Sequence, residues 1–196
     1  MILMLAEKRS QAIKIAEAMG WHYRQAQSKI RGNLHKKPLT LTWAAGHLLK
    51  YAPVEQRAQI TEGAIKPKLI PISEKSRYSG SRKPESYLNT IELLINKATS
   101  IIIATDPDRE GEAIAYNILN HFNCTLPIQR LWLADGLNRS AIGKAMEHLL
   151  PPHKTKSLYR ASQARSLSDW YFIFPSMAYT RLNSHQEGIT SVGRVQ

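Results

Sequence analysis

The chain has 196 residues, 43% of them apolar, enough for one ordinary domain and part of a second. Twenty-seven Lys and Arg against fifteen Asp and Glu leave a net charge of +12, which points to a polyanionic partner, either nucleic acid or an acidic membrane surface. A bilayer span is excluded, because the longest apolar stretches, 2–6 and 101–104, are strand-sized against the ~18 to 20 residues required, and the single cysteine, Cys124, excludes an internal disulfide and a Cys-based zinc cluster.

Residues 1–6 form a continuous apolar run, the pattern of a strand buried on both faces in a parallel sheet, with Glu7 at its C-terminal end. No basic leader precedes it, so the N-terminus does not read as a secretory signal and the protein is expected in the cytosol. A helix is predicted over 10–19, with Ser10 as its cap and Gly20 closing it. Residues 21–37 read as a polar, basic break. Leu39, Leu41 and Trp43 then alternate with Thr40 and Thr42 as a strand, and a turn follows at Gly46. The stretch 51–86 carries Pro53, Pro67, Pro71 and Pro84 among polar residues and predicts an irregular, mobile surface excursion.

Beyond it the pattern predicts helix 87–97, strand 101–104, helix 110–122, strand 128–133 and, capped by Asn138, helix 139–150. This order is that of an α/β domain with a mostly parallel sheet. Pro151 and Pro152 break the chain, and residues 157–182 read as a long helix interrupted at Pro175, the helical start of a second domain. The division is placed at 1–152 and 153–196.

Asp106, Asp108, Glu110 and Glu112 fall within seven residues, directly after a buried strand and at the start of a helix. Ligands sit at the C-terminal ends of strands in open α/β sheets. Grouped hard oxygen ligands suit Mg²⁺, which takes one or two carboxylates and keeps its other positions for water and phosphate. If the strand ending at Glu7 is a neighbour, Glu7, Asp106, Asp108 and Glu110 converge. The competing reading is that acids near a helix N-terminus serve only the macrodipole.

The segments Leu5-Ala6-Glu7-Lys8, Thr42-Trp43-Ala44-Ala45-Gly46-His47-Leu48, Thr105-Asp106-Pro107-Asp108-Arg109-Glu110-Gly111-Glu112 and Ser191-Val192-Gly193-Arg194-Val195-Gln196 together resemble type IA DNA topoisomerases, most closely the bacterial topoisomerase III branch. The resemblance implies a Rossmann-like toprim fold over 1–152, with 153–196 the incomplete N-terminal part of a central DNA-binding domain. It implies single-stranded DNA as partner and cleavage by an active-site tyrosine to a 5′-phosphotyrosyl bond, strand passage and religation without ATP. Glu7 would handle the proton of the 3′ oxygen, Lys8 would stabilise the charged transition state, and Asp106, Asp108 and Glu110 would hold Mg²⁺. Arg130, Arg165, Asp169 and Arg194 would contact DNA; Asp135 and Trp170 also match family positions. None of the eight tyrosines lies in the family context of the nucleophile, so residues 1–196 alone are expected to be inactive in relaxation. Two other readings use the same features: a toprim-type metal-dependent nuclease or primase-like enzyme, and a non-catalytic nucleic-acid-binding module.

Overall fold

The computed structural model describes residues 1–24, 27–52, 68–72, 84–173 and 175–176. The strands are β1 (Ile2–Ala6), β2 (Ile30–Leu34), β3 (Lys37–Trp43), β4 (Leu49–Tyr51), β5 (Leu69–Pro71), β6 (Ser100–Ala104) and β7 (Ile128–Arg130). The α-helices are α1 (Arg9–Ala18), α2 (Pro84–Ile95), α3 (Arg109–His121), α4 (Arg139–Glu147) and α5 (Lys156–Ser168). The main sheet runs β2-β3-β1-β6-β7; β1 pairs in parallel with β3 and β6, β6 with β7, and only β2 is antiparallel to its neighbour. The chain places β3 on one side of β1 and then crosses to β6 on the other. The C-terminal ends of β1 and β6 therefore flank the topological switch point, and Ala6 stands in register with Ala104.

The unbroken apolar runs of β1 and β6 follow from two covered faces. Leu3, Leu5, Ile101 and Ile103 pack with Ile91 of α2 and Ile114 and Ile118 of α3. Met4, Ala6, Ile102 and Ala104 pack with Ile15 of α1 and Ile142 and Met146 of α4. Each fully buried Leu or Ile contributes about 1.5 to 3 kcal/mol, so alternate residues of one strand hold helices on opposite faces.

Several expectations are corrected. Ser10 does not cap α1: Lys8 is the N-cap residue, without a side-chain bond to the helix's first turn, and Ser10 lies inside that turn. Gly20 does close the helix, at φ +70°. The basic break at 21–37 contains β2, whose only core residues are Ile30 and Leu34. Its two-residue turn to β3 uses His35 and Lys36, both at positive φ, in place of the Asn-Gly or Asp-Gly that usually marks such a turn. Thr40 and Thr42 are buried along with their apolar neighbours, because β3 is covered on both faces; Thr42 Oγ1 donates to the Ser28 carbonyl at 3.0 Å.

Within the excursion lies β5, which pairs antiparallel with β4 at the excursion's start, and α2 begins at Pro84, where the missing N–H costs no helical bond. The expected mobility of 53–67 and 73–83 lies outside the described residues. Strand β7 and helix α4 both stop short of their predicted ends. The backbones of Arg130 and Leu150 instead bond to each other, at 2.8 and 2.9 Å, drawing the chain after α4 back to the sheet edge. Asn138 caps α4 as predicted, accepting the Ala141 N–H at 2.9 Å. Asn138→Ala is expected to cost about 1 kcal/mol of stability, read as a lowered urea midpoint at unchanged slope.

Beyond Pro151, α5 packs on α3 through Tyr159 and Tyr116, whose ring centroids lie 5.0 Å apart, so contacts cross the 152/153 division. The helix continues as a π-helical turn over Asp169–Ile173, earlier than the interruption expected at Pro175. There Trp170 is buried and donates its indole N–H to the Ala52 carbonyl at 2.8 Å. Among the described residues no helix is long and apolar enough to cross a membrane.

Candidate active site

Two strand ends build the site. After β1, Glu7 is 8% exposed; its N–H donates to Gln11 Oε1 at 2.9 Å, and its carbonyl accepts the Gly46 N–H at 3.2 Å. Ala45 and Gly46, both at positive φ, turn the loop after β3 over this point. After β6, Asp106 donates its N–H to Glu7 Oε2 at 3.4 Å. Its own carboxylate accepts from Gln11 Nε2 at 2.9 Å and from Lys8 Nζ at 3.2 Å, while Lys8 also meets Glu7 Oε1 at 2.9 Å. One ammonium therefore bridges the acids of two neighbouring strands. Glu7 first, then Asp106, hold the Lys8 pKa above its ordinary value, so Lys8 keeps its proton throughout the neutral range. A raised lysine pKa adds stability that is complete below the unfolded value and lost as pH rises through the folded one, far above physiological pH.

The other acids diverge. Asp108 is the N-cap of α3, and its Oδ1 accepts the Gly111 N–H at 2.7 Å. Glu110 turns to the loop after β3, its Oε2 lying 3.4 Å from His47 Nε2. Glu112 is fully buried beneath the loop and forms an ion pair with Arg130. The expectation that four acids converge is thus met for Glu7 and Asp106 alone. The helix-terminus reading holds for Asp108, whose carboxylate serves the first turn of α3.

Among the described residues no group of three or more His, Cys, Asp or Glu side chains could hold a metal ion as placed. The donor set nevertheless fits Mg²⁺ of a particular kind. Asp108 and Glu110 are exposed and Asp106 half-exposed, all three present hard oxygens, and Mg²⁺ bound through one or two carboxylates draws its remaining ligands from water and phosphate. The residues suit an ion shared with a substrate phosphate and do not suit a closed protein cage.

Arg130 is corrected outright. Expected on a DNA groove, it is 1% exposed and buried against Glu112. Its Nη1 donates to the carbonyls of Ile103 (3.2 Å) and Leu131 (2.6 Å), and Nη2 to those of Thr105 (2.9 Å) and Asp106 (2.8 Å). Burial lowers its pKa and Glu112 opposes that shift; with every donor turned inward it holds the acidic loop rather than a phosphate. Arg165 is exposed on α5 and Asp169 half-buried at its end, while Arg194 lies outside the described residues. Tyr51, Tyr116 and Tyr159 are pushed up in pKa by burial, the reverse of an activated nucleophile.

Sequence reasoning missed Gln11, buried at 4% exposure between the two acids. Its signal was a polar residue on the helix face that carries Ala12, Ile15 and Ala16 into the core.

Residues 2–135 match the family model described as Toprim domain. Over 198 aligned positions the chain is 35% identical to DNA topoisomerase 3 of Staphylococcus aureus strains USA300 and MRSA252, covering 99% of this chain and 26% of those proteins. The chain therefore spans about a quarter of the length of the curated relatives it matches. In fold it is similar to full-length topoisomerase I from Thermotoga maritima, with a TM-score of 0.63 and 20% identity over 98% of this chain and 28% of that one. The resemblance carried by the motifs is borne out.

Proposed function

The chain belongs to the Toprim family, and from that premise we propose that it forms the phosphate- and metal-handling part of a type IA DNA topoisomerase, acting on single-stranded DNA in the cytoplasm without ATP. The observation that carries this reading is the Glu7–Lys8–Asp106 contact across β1 and β6, at the switch point where such sheets bind ligands. Glu7 stands at the strand end, sheltered enough to manage the proton of a departing 3′ oxygen. Lys8 places a permanent positive charge beside it, where a pentavalent phosphate builds negative charge. Asp106, Asp108 and Glu110 are the residues to hold Mg²⁺; that ion, when bound, polarises the phosphate and offsets its charge. The attacking tyrosine is one that the resemblance places outside residues 1–196. Residues 153–196, with Arg165, Asp169 and Arg194, begin the surface that lines the DNA. Similarity to DNA topoisomerase 3 along 99% of the chain favours this reading over a nuclease or primase-like one.

Titration calorimetry with Mg²⁺ tests it. Binding should strengthen at least tenfold when a single-stranded oligonucleotide is present, and Asp106→Asn or Asp108→Asn should remove that gain while leaving the urea midpoint close to the original. Identical Mg²⁺ affinity with and without oligonucleotide would refute the shared-ion site.

A further inference from the structure

Edge strand β2 and the loop before it gather charge opposite in sign to the acidic loop. Between residues 18 and 54 the chain has Arg24, Lys29, Arg31, Lys36, Lys37 and Lys50 and no Asp or Glu. A cavity of about 640 Å³ opens there, lined by His22, Tyr23, Arg24, Ser28, Lys29 and Arg31 among others. A second, of about 350 Å³, shares Ser28, Lys29 and Arg31 and extends to Lys97 just beyond α2, past a wall that includes Met1, Leu93 and Leu94. Lys29 and Arg31 are two residues apart in extended chain, so their side chains leave the same face, opposite the one by which Ile30 and Leu34 enter the core. Arg24, Lys29 and Arg31 are exposed, and among the described residues no carboxylate pairs with them. The nearby acid, Glu17, is engaged by the Tyr23 hydroxyl at 2.7 Å.

Position adds to the charge. Ile30 is in register with Leu41, and Leu41 with Met4 at the middle of β1, so Lys29 lies on the Glu7 side of the sheet's midline and Arg31, level with Thr40 and Leu3, on the side of Met1 and Lys97. Two strand spacings, roughly 10 Å, separate β2 from β1. Basic residues on an edge strand also discourage edge-to-edge pairing, but that role requires neither a trough nor the off-strand cations Arg24 and Lys97.

We propose that this trough is a second DNA-backbone site, in which Arg24, Lys29 and Arg31 grip successive phosphates of a strand running past the β2 edge. It rests on the reading of the chain as a DNA-acting protein and differs from the acidic site in needing no Mg²⁺. Phosphate contacts of this kind give affinity and direction without sequence preference.

The test is fluorescence anisotropy of the 196-residue chain with a labelled single-stranded oligonucleotide and, separately, its duplex, both in EDTA over a salt series. The combined Arg24→Ala, Lys29→Ala and Arg31→Ala variant should bind at least tenfold more weakly in one or both arms. On single strands its salt slope should fall by about 2, at ~0.7 per phosphate contact; the arm that responds identifies the form of DNA bound. A control with the same charge change, Arg139→Ala, Lys144→Ala and Lys154→Ala, all exposed, should lose less than threefold. Equal losses in the two variants, or no loss in the first, would overturn the trough while leaving the acidic site standing. A wild-type chain that binds neither DNA would overturn the trough together with the reading it rests on, whereas Mg²⁺ affinity indifferent to oligonucleotide bears on the acidic site alone.

Discussion

Replacing Glu112 by alanine is expected to remove about 3 to 5 kcal/mol of folding stability, the cost of leaving one member of a buried ion pair uncompensated. Against a total of about 5 to 15 kcal/mol for an ordinary domain, that is enough to leave much of the chain unfolded at 37 °C. Glu112 and Arg130 are 0% and 1% exposed. The second carboxylate oxygen of Glu112 accepts from Thr155 Oγ1 at 3.2 Å, so the same side chain also ties the start of α5 to α3. Arg130→Ala should cost a similar amount, because it strands the Glu112 carboxylate and frees the carbonyls of Ile103, Leu131, Thr105 and Asp106. Combining Glu112→Leu with Arg130→Met removes both charges and should recover part of the loss. Recovery stays incomplete because no apolar residue satisfies those carbonyls. Urea midpoints of the three variants decide the matter: a loss below about 1 kcal/mol for Glu112→Ala would mean that the pair is hydrated and that Arg130 is not the clamp of the acidic loop.

That pair also explains which parts of the molecule could be read in advance. The parallel core was legible because β1 and β6 are buried on both faces and their composition is almost purely apolar. Asn138 was legible because a helix cap is a local device. Hairpin β2–β3 was hidden, since its strand offers two core residues and its turn adopts positive φ with His35 and Lys36. Arg130 was misassigned, and its pairing with Glu112 missed, for one physical reason: a charged residue in a one-dimensional pattern reads as solvent-facing, and only the fold shows that 18 residues of separation place these two side chains in contact. Gln11 escaped for a related reason, because its value lies in joining Glu7 to Asp106, a residue 95 positions away from it in sequence. At the acidic loop the residue types were visible, but their orientations were not. Asp108 could equally cap a helix or face a cation, and bonding to the Gly111 N–H is what the folded chain adopts.

Gly111→Ala is expected to damage the acidic site without altering any of its acids. Elsewhere in a helix this substitution stabilises by about 1 kcal/mol, because alanine is the better helix former. At Gly111 a Cβ would lie 2.1 Å from the Asp106 carbonyl oxygen and 2.9 Å from the Asp106 backbone carbon and nitrogen. These are backbone atoms that cannot rotate aside, and the oxygen is already fixed by the Asp108 N–H at 2.9 Å and by Arg130 at 2.8 Å. Relief requires the Asp106–Asp108 loop to lift from α3, which withdraws Asp106 from Lys8 and Gln11 and breaks the Asp108 cap. Overpacking of this kind costs about 1 to 3 kcal/mol. The oligonucleotide-dependent gain in Mg²⁺ affinity should fall at least tenfold with it. Gly143, in α4, has nothing within 4 Å of its own added Cβ, so Gly143→Ala should follow the helix rule and raise stability by about 1 kcal/mol. Opposite signs from one chemical change at two helical glycines would locate the cause in the contact between α3 and the loop. A Gly111→Ala chain with a raised urea midpoint and an intact Mg²⁺ response would show instead that the loop is free to move, and that its close seat on the helix does not position the acids.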